Sequence, residues 1–316
     1  MDKLRITLFR DGRPGHLKQS RGIVCALRRY VDVEVAEVEV IRRSILFDVI
    51  FFAAYLLGRQ SPQRSEERCD LVLGAGSRTH LPMLSYARDH LARSVVCMTP
   101  PWPLRSRFDL CCSPIHDRVR PADNLFLTIG PPNSAVAGTS HQSDIGLFCI
   151  GGEDGASHVW DDDRIVTDVR RVIERSALRA WIITSSPRTP KTTEVKCAAL
   201  AAAFPEVTFV PFDRTEPGWI EQQYHDHGTV WITADSISMV YEALTAGCRV
   251  GIIPVRWRKK ESKFAYSERY LVDKKLVVSL SRWLDNPEQW GEHEPLDEAD
   301  RCAREIIKRW WPSNLR

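Results

Sequence analysis

The sequence predicts an α/β fold with mostly parallel sheets, built twice over. Short β-branched, apolar runs alternate with helix-length stretches along the whole chain. The alternation starts afresh after Pro131–Ser143 (PPNSAVAGTSHQS), a stretch rich in Pro, Gly and Ser that reads as a linker. A length of 316 residues allows two domains of ordinary size. The expected halves are 1–138 and 144–295.

In the first half LRITLF, VEVAEVEV, DLVLGAG, SVVCMT, FDLCCS and NLFLTIG read as strands. Helices are expected around Gln19–Tyr30, Arg43–Leu57 and Leu81–Leu91. In the second half the strands are DIGLFCIGG, RAWIITSS, VTFVPF, GTVWITAD and RVGIIPV, interleaved with the helical stretches IVTDVRRVIERS, TTEVKCAALAAAF and SMVYEALTAG. The three aspartates at 161–163 read as a solvated helix N-terminus rather than metal ligands.

Composition excludes several classes. Apolar residues at 43% and charged residues at 27% describe a globular chain, and a net charge of +3 is too small for bulk nucleic-acid binding. The longest apolar run, Val49–Leu57, is far short of the roughly 20 residues of a spanning helix. Asp2, Lys3 and Arg5 precede only a strand-length apolar run, so no secretory signal is expected. Nine cysteines are scattered without a C-x-x-C pair, mostly in apolar runs, and read as buried thiols of a reducing, cytoplasmic compartment.

Ligands of open α/β sheets bind beyond the carboxyl ends of the strands, so those loops hold the candidates. DGRPGHLKQSRG reads as a strand-to-helix loop. It is either a structural turn or a glycine-rich anion seat ending at Gly15–His16, although it matches neither the dinucleotide fingerprint nor the P-loop. GAGSRTH contributes Ser77 and Arg78, and SPIHD contributes His116 beside Asp117. In the second half Gly151 and Gly152 of IGGEDGASH allow close backbone approach. Ser185, Ser186, Arg188 and Thr189 of TSSPRTP offer hydroxyls and a guanidinium fork for phosphate. In TADSISMVYEALTAG, Asp235, Ser236 or Ser238 caps a helix whose first-turn amides, near Met239, face the crevice. Glu242 lies a turn further in, where a carboxylate can accept ribose hydroxyls, and Gly247 ends the helix.

The run Glu242–Gly247 with its Ser-rich helix start resembles the donor-binding motif of GT-B glycosyltransferases. The Gly15–His16 and Gly151–Gly152 loops are similar to those of the lipid-linked peptidoglycan N-acetylglucosaminyltransferase. Nearly the whole chain, through DGRPGHLKQSRG, SPIHD, TSSPRTP, TADSISMVYEA, ESKF and EPLDEADR, resembles the mitochondrial-fission "elongated mitochondria" family and its bacterial glycosyltransferase relatives. Two departures stand out: Ser77 precedes Arg78 where a Gly-Arg or Arg-Arg pair is expected, and acidic residues follow Gly152.

The resemblance implies a GT-B-like α/β fold, two Rossmann-like domains with parallel sheets facing across a cleft. A last helix within 296–316 crosses back to the N-domain, with Trp310–Trp311 as its anchor. It implies transfer from a nucleotide sugar to a membrane or cell-envelope glycolipid or lipopolysaccharide, without a metal or other cofactor. His16 then acts as base or as donor to the leaving group, with His116 and Asp11 as rivals, and Ser77, Arg78 and Asp117 lie on the acceptor side. The other readings are a non-catalytic scaffold and a sugar-nucleotide epimerase of the same fold. Two stretches suggest peripheral contact with the inner face of the cytoplasmic membrane: residues 42–59, basic at both ends of an apolar body, and the basic loop Arg256–Lys263. Each has a plainer reading, as a core helix and as a solvated or diphosphate-facing loop.

Overall fold

The structure is a computed structural model that describes residues 3–41, 52–53, 55–57, 68–138, 141–287, 289–291 and 294–315. The helix expected at 43–57 and the stretch 42–59, read as a core helix or a peripheral membrane contact, fall largely outside the described residues. The chain divides into two compact units, 1–134 with 297–316, and 135–296.

In unit 1 the strands β1 (Leu4–Arg10), β2 (Val33–Glu39), β3 (Leu71–Gly74), β4 (Arg93–Val96), β5 (Leu110–Pro114) and β6 (Leu125–Thr128) form one parallel sheet in the order β2-β1-β3-β4-β5-β6. Strand order reverses between β1 and β3, which opens a crevice at their carboxyl ends. Helix α1 (Pro14–Leu27) follows β1, and α2 (His80–His90) follows β3 after a short 3₁₀ turn at Ser77–Thr79.

Helix α1 starts five residues before the expected Gln19. Arg13 is its N-cap in extended backbone and Pro14 is its first residue. Proline suits that place, since its fixed φ is helical and its missing N–H has no partner to lose there. The loop read as a long glycine-rich turn is therefore short, and Gly15 and His16 belong to the first helical turn.

In unit 2 the strands are β7 (Gln142–Cys149), β8 (His158–Val159), β9 (Ala180–Thr184), β10 (Val207–Val210), β11 (His227–Thr233), β12 (Arg249–Ile253), β13 (Arg256–Trp257) and β14 (Val278–Ser279). Six of them form a second parallel sheet, ordered β10-β9-β7-β11-β12-β14, with its reversal between β7 and β11. β8 and β13 pair antiparallel as a separate ribbon. The helices are α3 (Asp162–Arg175), α4 (Lys191–Ala203), α5 (Trp219–Asp226), α6 (Ile237–Thr245), α7 (Lys263–Asp273) and α8 (Leu280–Asp285). Asp161 caps α3, accepting from the Arg164 N–H at 3.1 Å. The stretch read as a basic loop, Arg256–Lys263, is instead bounded by structure. Arg256 and Trp257 are β13, and Lys263 opens α7 behind Ser262, whose Oγ accepts from the Ala265 N–H at 3.2 Å.

The last helix, α9 (Glu298–Trp310), returns to unit 1 and packs on α1. Ala299, Cys302, Ala303, Ile306 and Ile307 bury one stripe among Leu4, Ile23 and Leu27, and Trp310 and Trp311 pack at the edge of that core. Arg29 reaches Asp297 at 2.7 Å, and the Tyr30 hydroxyl donates to Asp300 at 2.7 Å. These polar contacts are exposed or half-buried and fix register, while the apolar stripe supplies most of the stabilisation. Ile306→Ala is expected to lower unfolding free energy by about 2–5 kcal/mol in a denaturant melt. A loss under about 1 kcal/mol, below the range for a buried isoleucine, would show that α9 is not held by this core.

Candidate functional site

Both units bring their chemistry to the point where strand order reverses. In unit 1, β1 ends at Arg10 and delivers Asp11, while the first turn of α1 delivers His16. His16 Nδ1 lies 3.1 and 3.0 Å from the two Asp11 oxygens. The Asp11 side chain is 2% exposed and the His16 side chain 24%. A carboxylate at Nδ1 fixes the proton there, so Nε2 is left as the basic nitrogen. Asp11 also accepts from the Arg13 N–H at 3.2 Å, which ties the carboxylate to the start of the helix. Asp11 and His16, expected as rivals, thus form one dyad.

Gly76, after β3, closes the other side. Its φ is +99°, and an added Cβ would collide with Asp11 Oδ2 and His16 Nδ1. Only glycine permits both the backbone and the approach. No such need exists at Gly15, where an added Cβ meets nothing within 4 Å. Ser77 and Arg78 follow Gly76 in the 3₁₀ turn, exposed and half-buried respectively. His116 and Asp117 sit in a turn after β5 with Nε2 and Oδ1 3.9 Å apart, too far for a hydrogen bond. The structure therefore gives His16 an oriented carboxylate and holds Asp117 beyond hydrogen-bond distance of His116 Nε2.

In unit 2 the centre is Asp235, after β11, whose side chain is 1% exposed. Its Oδ2 accepts from the Gly152 N–H at 3.1 Å, from Arg188 Nη2 at 2.8 Å and from Ser236 Oγ at 3.1 Å. The loops after β7, β9 and β11 are thereby joined through one oxygen. Gly151 donates its N–H to Thr233 Oγ1 at 2.7 Å. The amides of both glycines are thus used within the protein, so the glycine pair frames the crevice rather than seating an anion. Arg188 also donates to the Gly152 carbonyl at 3.2 Å, and the Thr189 hydroxyl donates to the carbonyls of Ile150 and Gly151. Ser186 holds its own turn, its N–H donating to Thr189 Oγ1 at 2.8 Å. Ser185 faces away from this set, donating to Glu194 at 2.6 Å and accepting from the Phe212 N–H.

Beside Asp235 a cavity of about 530 Å³ opens, within the range of small-molecule sites. One wall is the start of α6, Ser236 to Met239. The amides of Ile237, Ser238 and Met239, in the first turn, have no intrahelical acceptor, and the N-cap residue Ser236 makes no side-chain capping bond to them. Arg188 lines the cavity and is 44% exposed. Across from these the lining includes Glu153, Asp154 and Phe264, which sequence reasoning did not single out. Phe264 is stacked on Trp257, centroids 6.2 Å apart and planes at 15°, and Trp257 donates to a Glu268 carboxylate at 2.5 Å. The Asp154 carboxyl is held below its usual range, first by the Ala156 N–H that it accepts. Glu242 lies a turn further along α6, 7% exposed, and is not part of the cavity wall. Its charge adds to the burial that raises the Cys149 thiol and the Tyr224 hydroxyl. Among the described residues no group of three His, Cys, Asp or Glu converges as a metal site. No helix among them is long and apolar enough to cross a membrane.

His80, the first residue of α2, is buried next to the dyad. Its Nε2 has no hydrogen-bond partner among the described residues. Burial first, and then the His16 charge, lower its pKa from 6.5 to about 4. A histidine with a depressed folded pKa binds its proton more readily when unfolded, so its contribution is complete above about pH 6.5 and lost as pH falls towards 4. Stability of the wild type is therefore expected to fall more steeply than that of His80→Gln across this window in urea melts. Parallel pH profiles would contradict the assignment.

The fold is shared with solved structures at low identity. A Listeria monocytogenes protein crystallised as a candidate UDP-N-acetylglucosamine 2-epimerase has 12% identity and a TM-score of 0.61, covering 98% of this chain and 97% of its own. The UDP-GlcNAc 2-epimerase of Methanocaldococcus jannaschii has 13% identity and a TM-score of 0.57, with 97% and 99% coverage. That of Neisseria meningitidis, solved bound to UDP-GlcNAc, has 12% identity and a TM-score of 0.54, with 97% and 99% coverage. These likenesses establish the two-unit, Rossmann-like fold. No curated protein matches the sequence. The family model described as Mitochondrial fission ELM1 matches residues 14–310, nearly the whole chain, and the protein belongs to that family.

Proposed function

We propose that the protein is a GT-B-type glycosyltransferase that takes a nucleotide sugar as donor and a membrane or cell-envelope glycolipid or lipopolysaccharide as acceptor. The observation that carries this reading is the uncapped start of α6, which opens on the cavity at the reversal point of the second sheet. The amides of Ile237–Met239 and the positive end of the helix dipole suit a diphosphate there. Arg188, already beside Asp235 and half in solvent, adds a guanidinium fork to the same charge. Phe264, backed by Trp257, offers a flat apolar wall to a base, and Glu153 and Asp154 offer acceptors to sugar hydroxyls. Acidic residues beside a diphosphate repel it, so the phosphates belong on the α6 side of the cavity and the hydroxyl-bearing sugar on the other.

The Asp11–His16 dyad supplies the proton acceptor. As the acceptor hydroxyl oxygen bonds to the anomeric carbon and the nucleoside diphosphate leaves, His16 Nε2 takes the hydroxyl proton. Asp11 then stabilises the imidazolium from Nδ1. The leaving charge is met by α6 and Arg188, so turnover is expected to survive EDTA; loss in EDTA with rescue by Mg²⁺ would contradict this.

The reading is tested by incubating the protein with nucleotide sugars, with and without an envelope glycolipid fraction, and measuring nucleoside diphosphate release. Release that depends on the glycolipid is expected. His16→Ala should lower kcat by about 10²–10⁴-fold with donor KM little changed, while His116→Ala should keep most activity. Conversion of the donor sugar without an acceptor would mark an epimerase. Absence of nucleotide binding would mark a scaffold. Loss of activity on His116→Ala but not on His16→Ala would move the base.

A further inference from the structure

The amino ends of the strands in unit 2 carry a second concave site. A cavity of about 760 Å³ opens beside Ser143, Thr229 and Arg249, which lie at the starts of β7, β11 and β12, and beside the carboxyl end of α3. The α6 cavity lies at the other end of the same strands. An eight-residue strand such as β7 separates the two ends by roughly 25 Å.

Three indoles line this space: Trp181, Trp283 and Trp290. Trp283 and Trp290 have ring centroids 6.1 Å apart, and Trp231 packs edge-on behind them at 5.1 and 5.8 Å. Trp181 and Trp283 are buried, and the indole N–H of each has no acceptor among the described residues. A buried donor left unpaired costs free energy, and three of them (Trp231 is the third) cluster beneath this one wall.

The rim carries Arg175 and Arg249, both exposed. Neither makes an ion pair or a side-chain hydrogen bond with another described residue. That sets them apart from the many arginines of this chain that pair with carboxylates, such as Arg179 with Asp144 at 2.9 Å. Against the two guanidinium groups the described lining holds one carboxylate, Glu174.

We infer that this cavity is a second ligand site, separate from the α6 crevice, for a small organic anion with a flat apolar body. The body lies against Trp290, the partly exposed indole of the described lining, with Trp181 and Trp283 buried behind it as a rigid apolar backing. The carboxylate, sulfonate or phosphate meets Arg175 and Arg249, whose planar forks donate to it bidentately. The unpaired indole donors beneath the wall add to a field that favours an acceptor-rich ligand. The volume is ample for such a molecule. The inference stands whether or not the donor reading of the α6 cavity holds.

The test uses the full chain and 8-anilinonaphthalene-1-sulfonate, with its uncharged counterpart N-phenyl-1-naphthylamine as control. Energy transfer from tryptophan to the sulfonate should saturate at one site. The double substitution Arg175→Ala with Arg249→Ala should weaken the sulfonate at least about tenfold, as expected for lost charge-assisted hydrogen bonds, and leave the neutral probe unchanged. Both arginines are exposed and pair with no other described residue, so the variant should keep its circular dichroism spectrum and melting temperature. Should it lose them, Arg249→Ala alone carries the comparison, with a weakening of about threefold or more as the smaller expected loss. Uridine diphosphate should not displace the probe. No saturable transfer, equal sulfonate affinity in wild type and variant, or displacement by uridine diphosphate would each overturn the inference.

Discussion

The buried Asp235 carboxylate is the contact on which the second unit's site depends. A carboxylate that is 1% exposed needs donors, and here three converge on Oδ2 while Oδ1 has no hydrogen-bond partner among the described residues. Those donors come from three loops that share no local sequence: the Gly152 amide after β7, the Arg188 guanidinium after β9 and the Ser236 hydroxyl beside it. One oxygen thereby sets the spacing of every loop at the reversal point of the sheet. It also decides which donors remain for a ligand. The glycine amides are consumed, whereas the first turn of α6 is not. The anion-binding capacity of the crevice therefore rests on the helix start rather than on the glycine pair.

The first unit solves a similar problem with a histidine. Asp11 is nearly as buried as Asp235, and its charge is met by His16 and the Arg13 amide. Gly76 presses against both members of the dyad, so no side chain separates the β1 and β3 ends. His80 beside it stays neutral at ordinary pH because burial opposes its charge. That keeps a second positive charge away from a group expected to accept a proton. In each unit the strand reversal supplies the crevice, and a buried carboxylate organises it.

Much of the fold was legible in the sequence because period and length signal it directly. Buried parallel strands such as LRITLF and GTVWITAD are short, mostly apolar runs rich in β-branched residues, and α9 shows a clean apolar stripe. The family resemblance added the two-unit architecture and the return of the last helix. What local reading lost were elements set by capping and tertiary context. Pro14–Gly15 resembles a turn, yet proline at the first helical position starts α1 there. The basic run Arg256–Lys263 looked like a loop because a two-residue strand and a capped helix start leave almost no periodic signal. In the candidate site, sequence identified Asp11 and His16 separately but could not show that one holds the other. Nor could it show that Gly151 and Gly152 spend their amides on Thr233 and Asp235. Phe264 was within reach, as an aromatic residue in the ESKF stretch, but nothing local says that it faces a cavity.

The central claim is that an anion belongs on the amides opening α6. Amide hydrogen exchange with and without uridine diphosphate tests it most directly. The account predicts that Ile237, Ser238 and Met239 exchange readily in the free protein, since they have neither an intrahelical acceptor nor a side-chain cap, and gain the largest protection when the nucleotide binds. Nucleotide binding that leaves these three amides unprotected, while protecting the loop after β7 instead, would contradict it.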